Sequence, residues 1–301
     1  MACQSISLQR SLPFQSAVTI SYVGSSSPNL VTWDWVNVAR PGRYTNLQAA
    51  RPFPAFGDIY LYNNVSSSGY HAGHLKWEKR LSHGLSSSLA YAFSKNIADG
   101  NGSSLTDYPM PYAPAGYNRG RSALDRKHIL NLNAVYELPL GRGRKFGGSM
   151  PRVANLLVGG WELTSLYSFS SGGPLSFLTP GATLGNSLNT RANLVGNPRV
   201  SNPNVLRWFD PAAFSAPAAT IFGNSGIGLM DGPGSHVMSA GLLKNFSWTE
   251  SRYVQFRWEL FNPVNHVNYS NPNTSIGQAT TGRITSAGDA RSMQLALKFY
   301  F

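Results

Sequence analysis

Few side chains in this sequence are spaced for chemistry. "HAGH" sets His71 and His74 three residues apart. A helix would bring both imidazoles toward one metal, whereas a strand sends them to opposite faces. His128, His236 and His266 stand singly and read as polar lumen, rim or loop residues. "GNSG" (Gly223 to Gly226) lacks the G-x-S-x-G spacing of a nucleophile elbow and reads as a loop turn. "GRGRKFGG" (Gly141 to Gly148) has the makings of a phosphate cradle, but no helical pattern opens after it, so a basic turn is the better reading. The 13 carboxylates are dispersed, with no close pair for acid/base work. Cys3, the only cysteine, allows neither an internal disulfide nor a cysteine metal site. The residues therefore predict no enzyme, and no catalytic residue, cofactor or metal ligand is assigned.

With reactive groups so sparse, the elements that would hold them carry more information. The chain has 301 residues, 42% hydrophobic and 12% aromatic, with only 13% charged. Soluble domains carry about 25% charge. Mean hydropathy is −0.19, and no run of about 18 apolar residues exists to form a membrane helix. Net charge is +12 and the pI is near 10.0. The basic residues are scattered, without a recognition helix or an RNA-binding aromatic signature, so an anionic lipid surface is a better partner than nucleic acid. "MACQSISLQRSLPF" lacks the basic and apolar regions of a signal peptide.

Apolar residues recur at period two, the signature of strands with one apolar face. Leu75 and Trp77 oppose His74, Lys76 and Glu78. The turn "SHG" (Ser82 to Gly84) leads to Leu89, Tyr91 and Phe93 on one side. Leu130, Leu132 and Tyr136 oppose Asn131, Asn133 and Glu137. Leu157, Trp161, Leu163, Tyr167 and Phe169 share a face away from Glu162. Met238, Ala240, Leu242 and Phe246 alternate more weakly before the turn "SWTES". Val254, Phe256, Trp258 and Leu260 oppose Gln255, Arg257 and Glu259. The closing "RSMQLALKFYF" sets Met293, Leu295, Leu297, Phe299 and Phe301 against Gln294 and Lys298. With "SISLQ" and "SAVTISYVG", the count is nine long strands.

Connections alternate between short turns and Gly/Pro/Asn/Ser-rich loops of about 30 to 65 residues. Structureless loops beyond about 15 residues argue against a compact soluble domain, while short turns at one end and long loops at the other mark transmembrane barrels. The predicted fold is all-β: an antiparallel transmembrane β-barrel, incomplete as an open half-barrel of about nine meander strands, with long extracellular loops. In hydrocarbon every backbone amide must be paired, so the apolar face must turn outward and the polar face toward a wet interior. Leu75, Trp77, Leu89, Tyr91, Phe93, Leu130, Leu132, Tyr136, Trp161, Leu163, Tyr167, Val254, Phe256, Trp258, Leu260 and Met293 are predicted to face lipid. His74, Lys76, Glu78, Asn131, Asn133, Glu137, Glu162, Gln255, Arg257, Glu259, Gln294 and Lys298 are predicted to face the lumen. An odd count is at variance with the even number in bacterial barrels, which suggests a piece of a larger sheet.

Five segments carry a resemblance to a known family: "GYHAGHLKWEKRLSHGLSSSLAYAFSKNIADG", "RSALDRKHILNLNAVYELPLGRGRKF", "WFDPAAFSAPAA", "LLKNFSWTESRYVQFRWELFNPVNHVNYSNPN" and "GRITSAGDARSMQLALKFYF". Together they resemble, in order and over nearly the whole chain, the C-terminal barrel of Oar-like TonB-dependent outer-membrane receptors. The resemblance implies that residues 1–301 are the C-terminal segment of a barrel of about twenty-two strands. Members also carry a signal peptide, a carboxypeptidase-regulatory-like domain and a plug domain, none of which is represented in this sequence. It implies localisation in the cell outer membrane among lipid and lipopolysaccharide, and uptake of an unknown extracellular solute driven by the TonB system through the plug. It also implies that Leu295, Leu297, Phe299 and Phe301 form the terminal signal read by the barrel-assembly machinery. A structural or adhesive outer-membrane barrel without energised transport is the alternative.

Overall fold

The computed structural model describes residues 1–99, 111–114, 116–182, 189–218, 221–247 and 252–301. Period-two segments form nine long strands: β1 (Ala2–Leu12), β2 (Ser16–Trp35), β3 (Tyr60–Ser82), β4 (Leu85–Asp99), β5 (His128–Glu137), β6 (Trp161–Ser170), β7 (Ser235–Ser247), β8 (Tyr253–Phe261) and β9 (Ser292–Tyr300). Each pairs antiparallel with the next in chain order. A three-residue strand, Arg119–Arg121, joins the far end of β4. The fold is thus the expected all-β antiparallel meander. Among the described residues, β1 and β9 each pair on one side only, so the sheet is not closed.

Turn chemistry explains the tight end. His83 and Gly84 both take positive φ (54° and 79°), the two-residue turn that suits the twist of a hairpin. A Cβ on Gly84 would lie 2.7 Å from the Glu137 carbonyl oxygen. Phe14 and Gln15 play the same part between β1 and β2. The "SWTES" turn lies mostly outside the described residues.

Two stretches depart from the period-two reading. The sixth strand begins at Trp161, not Leu157, because Arg152–Val158 forms a short helix, α1. A helix therefore does follow the basic turn. Gly159 and Gly160 (φ +73°) break it and re-aim the chain into β6. The β2–β3 hairpin also runs well past Gly24, out to Trp35 and Tyr60, through Ser- and Gly-rich sequence with little apolar alternation. Backbone pairing extends it, with register shifts between Ser27 and Thr32.

The described parts of the long loops are folded. Pro174–Leu175 pairs with Met230–Asp231, Leu178–Ala182 with Asn189–Arg191, and Asn193–Leu194 with Phe214–Ser215. Between them sits a small core of Leu175, Phe177, Ala192, Phe209, Ala213, Phe214 and Ile276. Phe177 stacks on Phe214 at 4.1 Å and meets Phe209 edge-on at 4.8 Å. Asp210 caps the turn at Pro211–Ala213 by accepting from the Ala212 amide.

Candidate functional site

Register gathers the apolar residues on one face. Directly opposed residues of antiparallel strands share a face, so each row can be followed across the sheet. One row runs Leu8, Ile20, Leu75, Tyr91, Leu130, Phe169. A lower one runs Val18, Trp77, Leu89, Leu132, Tyr167, Met238. Toward the short turns, Tyr136, Leu163, Leu242, Trp258 and Leu295 align, as do Trp161, Lys244, Phe256 and Leu297, and finally Phe246, Val254 and Phe299. Leu260 pairs with Met293 on the same face. Many of these side chains are solvent-exposed, Leu295 and Phe299 at 68% and 70%. So large an apolar surface needs a covering.

The opposite face is polar. His74, Lys76 and Glu78 lie on it beside Ala92, Ala90 and Ser88. Lys76 pairs with Glu78 at 2.8 Å. Asn131 accepts from Ser168 at 2.7 Å, and Asn133 donates to Ser88 at 2.8 Å. Glu137 opposes Glu162 and pairs with Arg144 of the basic turn at 3.1 Å. Glu259 receives both Arg257 and Gln294, while Gln255 opposes Lys298 and bonds Asn245. Ala72, Ser94, Ala98 and Leu243 are buried on this face.

His71 and His74 fall on opposite faces, as a strand requires. His128 and His236, read from sequence as isolated lumen, rim or loop residues, lie on the apolar face at its loop end, opposite Phe93 and Phe169. Three Tyr hydroxyls meet His Nδ1 atoms diagonally: Tyr22–His71 at 2.6 Å, Tyr91–His128 at 2.7 Å and Tyr167–His236 at 2.8 Å. The pairs form a series. His71 lies in the row of Lys95, His128 two residues lower in the row of Gly73 and Phe93, and His236 two residues lower again in the row of Leu130 and Phe169. Each step crosses two strands. Two residues per two strands is about 6.6 Å of rise in about 9.6 Å of width, a slope of roughly 35°. That equals the strand tilt of membrane barrels, so the three pairs lie at one height once the strands are tilted. Parity held the clue: each His is an even number of residues from an apolar neighbour, Leu75, Leu130 or Met238.

A second boundary lies eight residues down β7. Lys244 sits on the apolar face yet is buried, its Nζ donating to the Gly159 carbonyl and lying 5.3 Å from the Trp161 ring and 5.1 Å from that of Phe246. From His236 to Lys244 is about 26 Å along the strand, or about 22 Å along the axis at that tilt. Barrel apolar bands measure about 25 Å. Helix α1 flanks this lower edge, with Val153 and Leu157 exposed and Leu156 bordering a groove with Phe246 and Val254.

At the loop end, Arg121 holds the strands to the loops. Its Nε donates to Asp125 at 2.7 Å and its Nη1 to Asp231 at 2.6 Å, while Asp125 also accepts the Asn96 amide at 2.6 Å. Burial opposes the guanidinium charge, but these hydrogen bonds and the two carboxylate charges outweigh it, and its pKa lies above the ordinary arginine value. Among the described residues, no group of three or more His, Cys, Asp or Glu is placed to hold a metal ion.

A nine-strand sheet with one apolar face, an apolar band of bilayer height and folded loops at one end defines a membrane β-barrel domain. Residues 3–294 match the protein-family model described as "Outer membrane beta barrel domain". The chain belongs to that family and resides in the outer membrane. Among solved structures it is similar to the outer membrane transporter YddB from Escherichia coli, with a TM-score of 0.56 and 11% identity over 99% of this chain and 32% of that one. The likeness shows the fold alone, and the chain spans about a third of that transporter's length. No curated protein matches the sequence.

Proposed function

We propose that residues 1–301 are the C-terminal barrel segment of a TonB-dependent, Oar-like receptor that takes part in solute uptake across the outer membrane. One observation carries this reading: a continuous apolar face about one bilayer tall, backed by a polar face and capped at one end by folded loops. Leu75, Trp77, Leu132, Trp258 and the residues in their rows then touch lipid, with the Tyr–His pairs at the outer headgroups and Lys244 and α1 at the inner ones. His74, Lys76, Asn131, Glu259 and their neighbours line the interior. Leu295, Leu297, Phe299 and Phe301 serve as the signal for the barrel-assembly machinery.

The sheet edges support a larger barrel. With nine antiparallel strands, β1 and β9 run in the same direction, so pairing them to each other would make a parallel ladder. A second copy in the same membrane orientation meets the same obstacle. An odd number of further antiparallel strands closes the barrel without it. A plug and TonB contact supplied by the rest of the receptor would perform the energised step, and we assign this chain no catalytic role and no cofactor.

Deleting the gene should abolish uptake of an external solute whose uptake is also lost without TonB, and the intact gene should restore it. An uptake profile unchanged by the deletion would overturn the reading. Lost surface attachment with unchanged uptake would favour an adhesive barrel instead.

A further inference from the structure

We propose that a cavity in the loops around Arg191 binds small aromatic carboxylates, with Arg191 taking the carboxylate and Tyr117 and Phe222 the ring. The cavity measures about 440 Å³ and is lined by Tyr117, Arg119, Arg191, Phe222, Asn224 and Gly226, among others. Its volume is that of a small-molecule site.

Arg191 is only 8% exposed. Its guanidinium lies 3.4 Å from the Tyr117 ring centroid, and Nη2 donates to the Tyr117 carbonyl at 2.7 Å. No carboxylate pairs with it among the described residues. Burial accordingly depresses its pKa, with Tyr117 the group that opposes the shift. Buried charges are normally paired, and a guanidinium carries five donors, of which the Tyr117 carbonyl takes one. Arg191 itself lines the cavity. A planar fork of donors with no carboxylate partner among the described residues fits a carboxylate ligand.

The walls specify what the carboxylate is attached to. Phe222 lies 5.3 Å from Tyr117 at 46°, and Pro114 borders the same space, so the body beside the anion meets flat apolar surfaces. Arg119 contributes little further charge, because its Nη1 is already held by Asp99 and Ser67 at 3.0 Å each. A Cβ on Gly226 meets nothing within 4 Å, which marks open space at the "GNSG" turn.

The assignment deepens the uptake reading by naming a solute class, and it rests on that reading only for its biological meaning. Calorimetric titration of the protein expressed from the intact gene and purified from outer membranes in detergent micelles tests it with benzoate, neutral benzamide and inorganic phosphate as probes. Benzoate should bind, with benzamide and phosphate each about tenfold weaker or worse, and Arg191→Met should weaken benzoate by about tenfold or more. Gly226→Leu grows a side chain into open space and should block benzoate while native β-sheet content is kept, so the test stands even if the arginine variant misfolds. No benzoate binding by the folded chain, equal binding of benzamide or phosphate, or full binding by Gly226→Leu would each overturn the assignment. A binding failure leaves the gene-deletion uptake test untouched, and a failed uptake test leaves the measured affinity standing.

Discussion

Leu132 and Asn133 are neighbours in sequence and lie on opposite faces of β5. Leu132 sits between Leu89 and Tyr167 on the apolar face, and Asn133 between Ser88 and Leu166 on the polar one. Along β5, Leu132 is midway between His128, at the upper aromatic boundary, and Tyr136, at the height of Lys244 once the strand tilt is included. An arginine at that depth on a lipid face costs about 2–4 kcal/mol. One on a hydrated interior face costs little, since its charge stays in water. Leu132→Arg should therefore lose at least about 2 kcal/mol more than Asn133→Arg. With a urea m-value of about 1–3 kcal/mol/M, the midpoints should differ by roughly 1 M. Both variants would be expressed from the intact gene, purified from outer membranes into vesicles and unfolded with urea, followed by tryptophan fluorescence. Equal losses, or a greater loss for Asn133→Arg, would refute the assignment of faces.

Three more perturbations probe separate parts of the structure. Lys244→Met removes a hydrogen bond to Gly159 and two cation–π contacts and should lower stability by about 1–2 kcal/mol, read from the same urea titration; an unchanged or higher midpoint would contradict it. Gly84→Ala places a Cβ 2.7 Å from the Glu137 oxygen at positive φ and should cost more than about 1 kcal/mol, seen as slower refolding and a lower midpoint. Asp125→Asn weakens the bonds from Arg121 and the Asn96 amide and should cost about 1.5–3 kcal/mol locally, so the Asn96 amide should exchange faster by hydrogen–deuterium mass spectrometry.

Much of the sheet was legible because period two is a purely local signal. Leu130, Leu132 and Tyr136 alternate with Asn131 and Asn133, and no long-range information is needed to see it. The outer half of the β2–β3 hairpin was not legible, because Ser25 to Ser27 and Ser66 to Ser68 carry no apolar alternation, and the side-chain bonds of Ser67 to Asp99 and Ser68 to Asn96 exist only once β3 and β4 are in register. Helix α1 was hidden because "VANLLV" runs into "GGWEL" with residues that also suit a strand, and only the two glycines separate them. The Tyr–His series escaped for a different reason. Tyr91 and His128 belong to separate strands, and their diagonal contact exists only once register is set. Arg191 and Tyr117 lie still farther apart in the chain, so their cavity is a product of loop folding that no local pattern encodes.

The claim on which the rest depends is that lipid touches the face bearing Leu75, Trp77, Leu132 and Trp258. A lipid-soluble carbene reagent, photolysed in outer-membrane vesicles from cells expressing the intact gene and mapped by mass spectrometry, measures this directly. Label should fall on those residues and spare His74, Lys76, Asn131 and Glu259. Label spread equally over both sets, or concentrated on the polar one, would contradict the account.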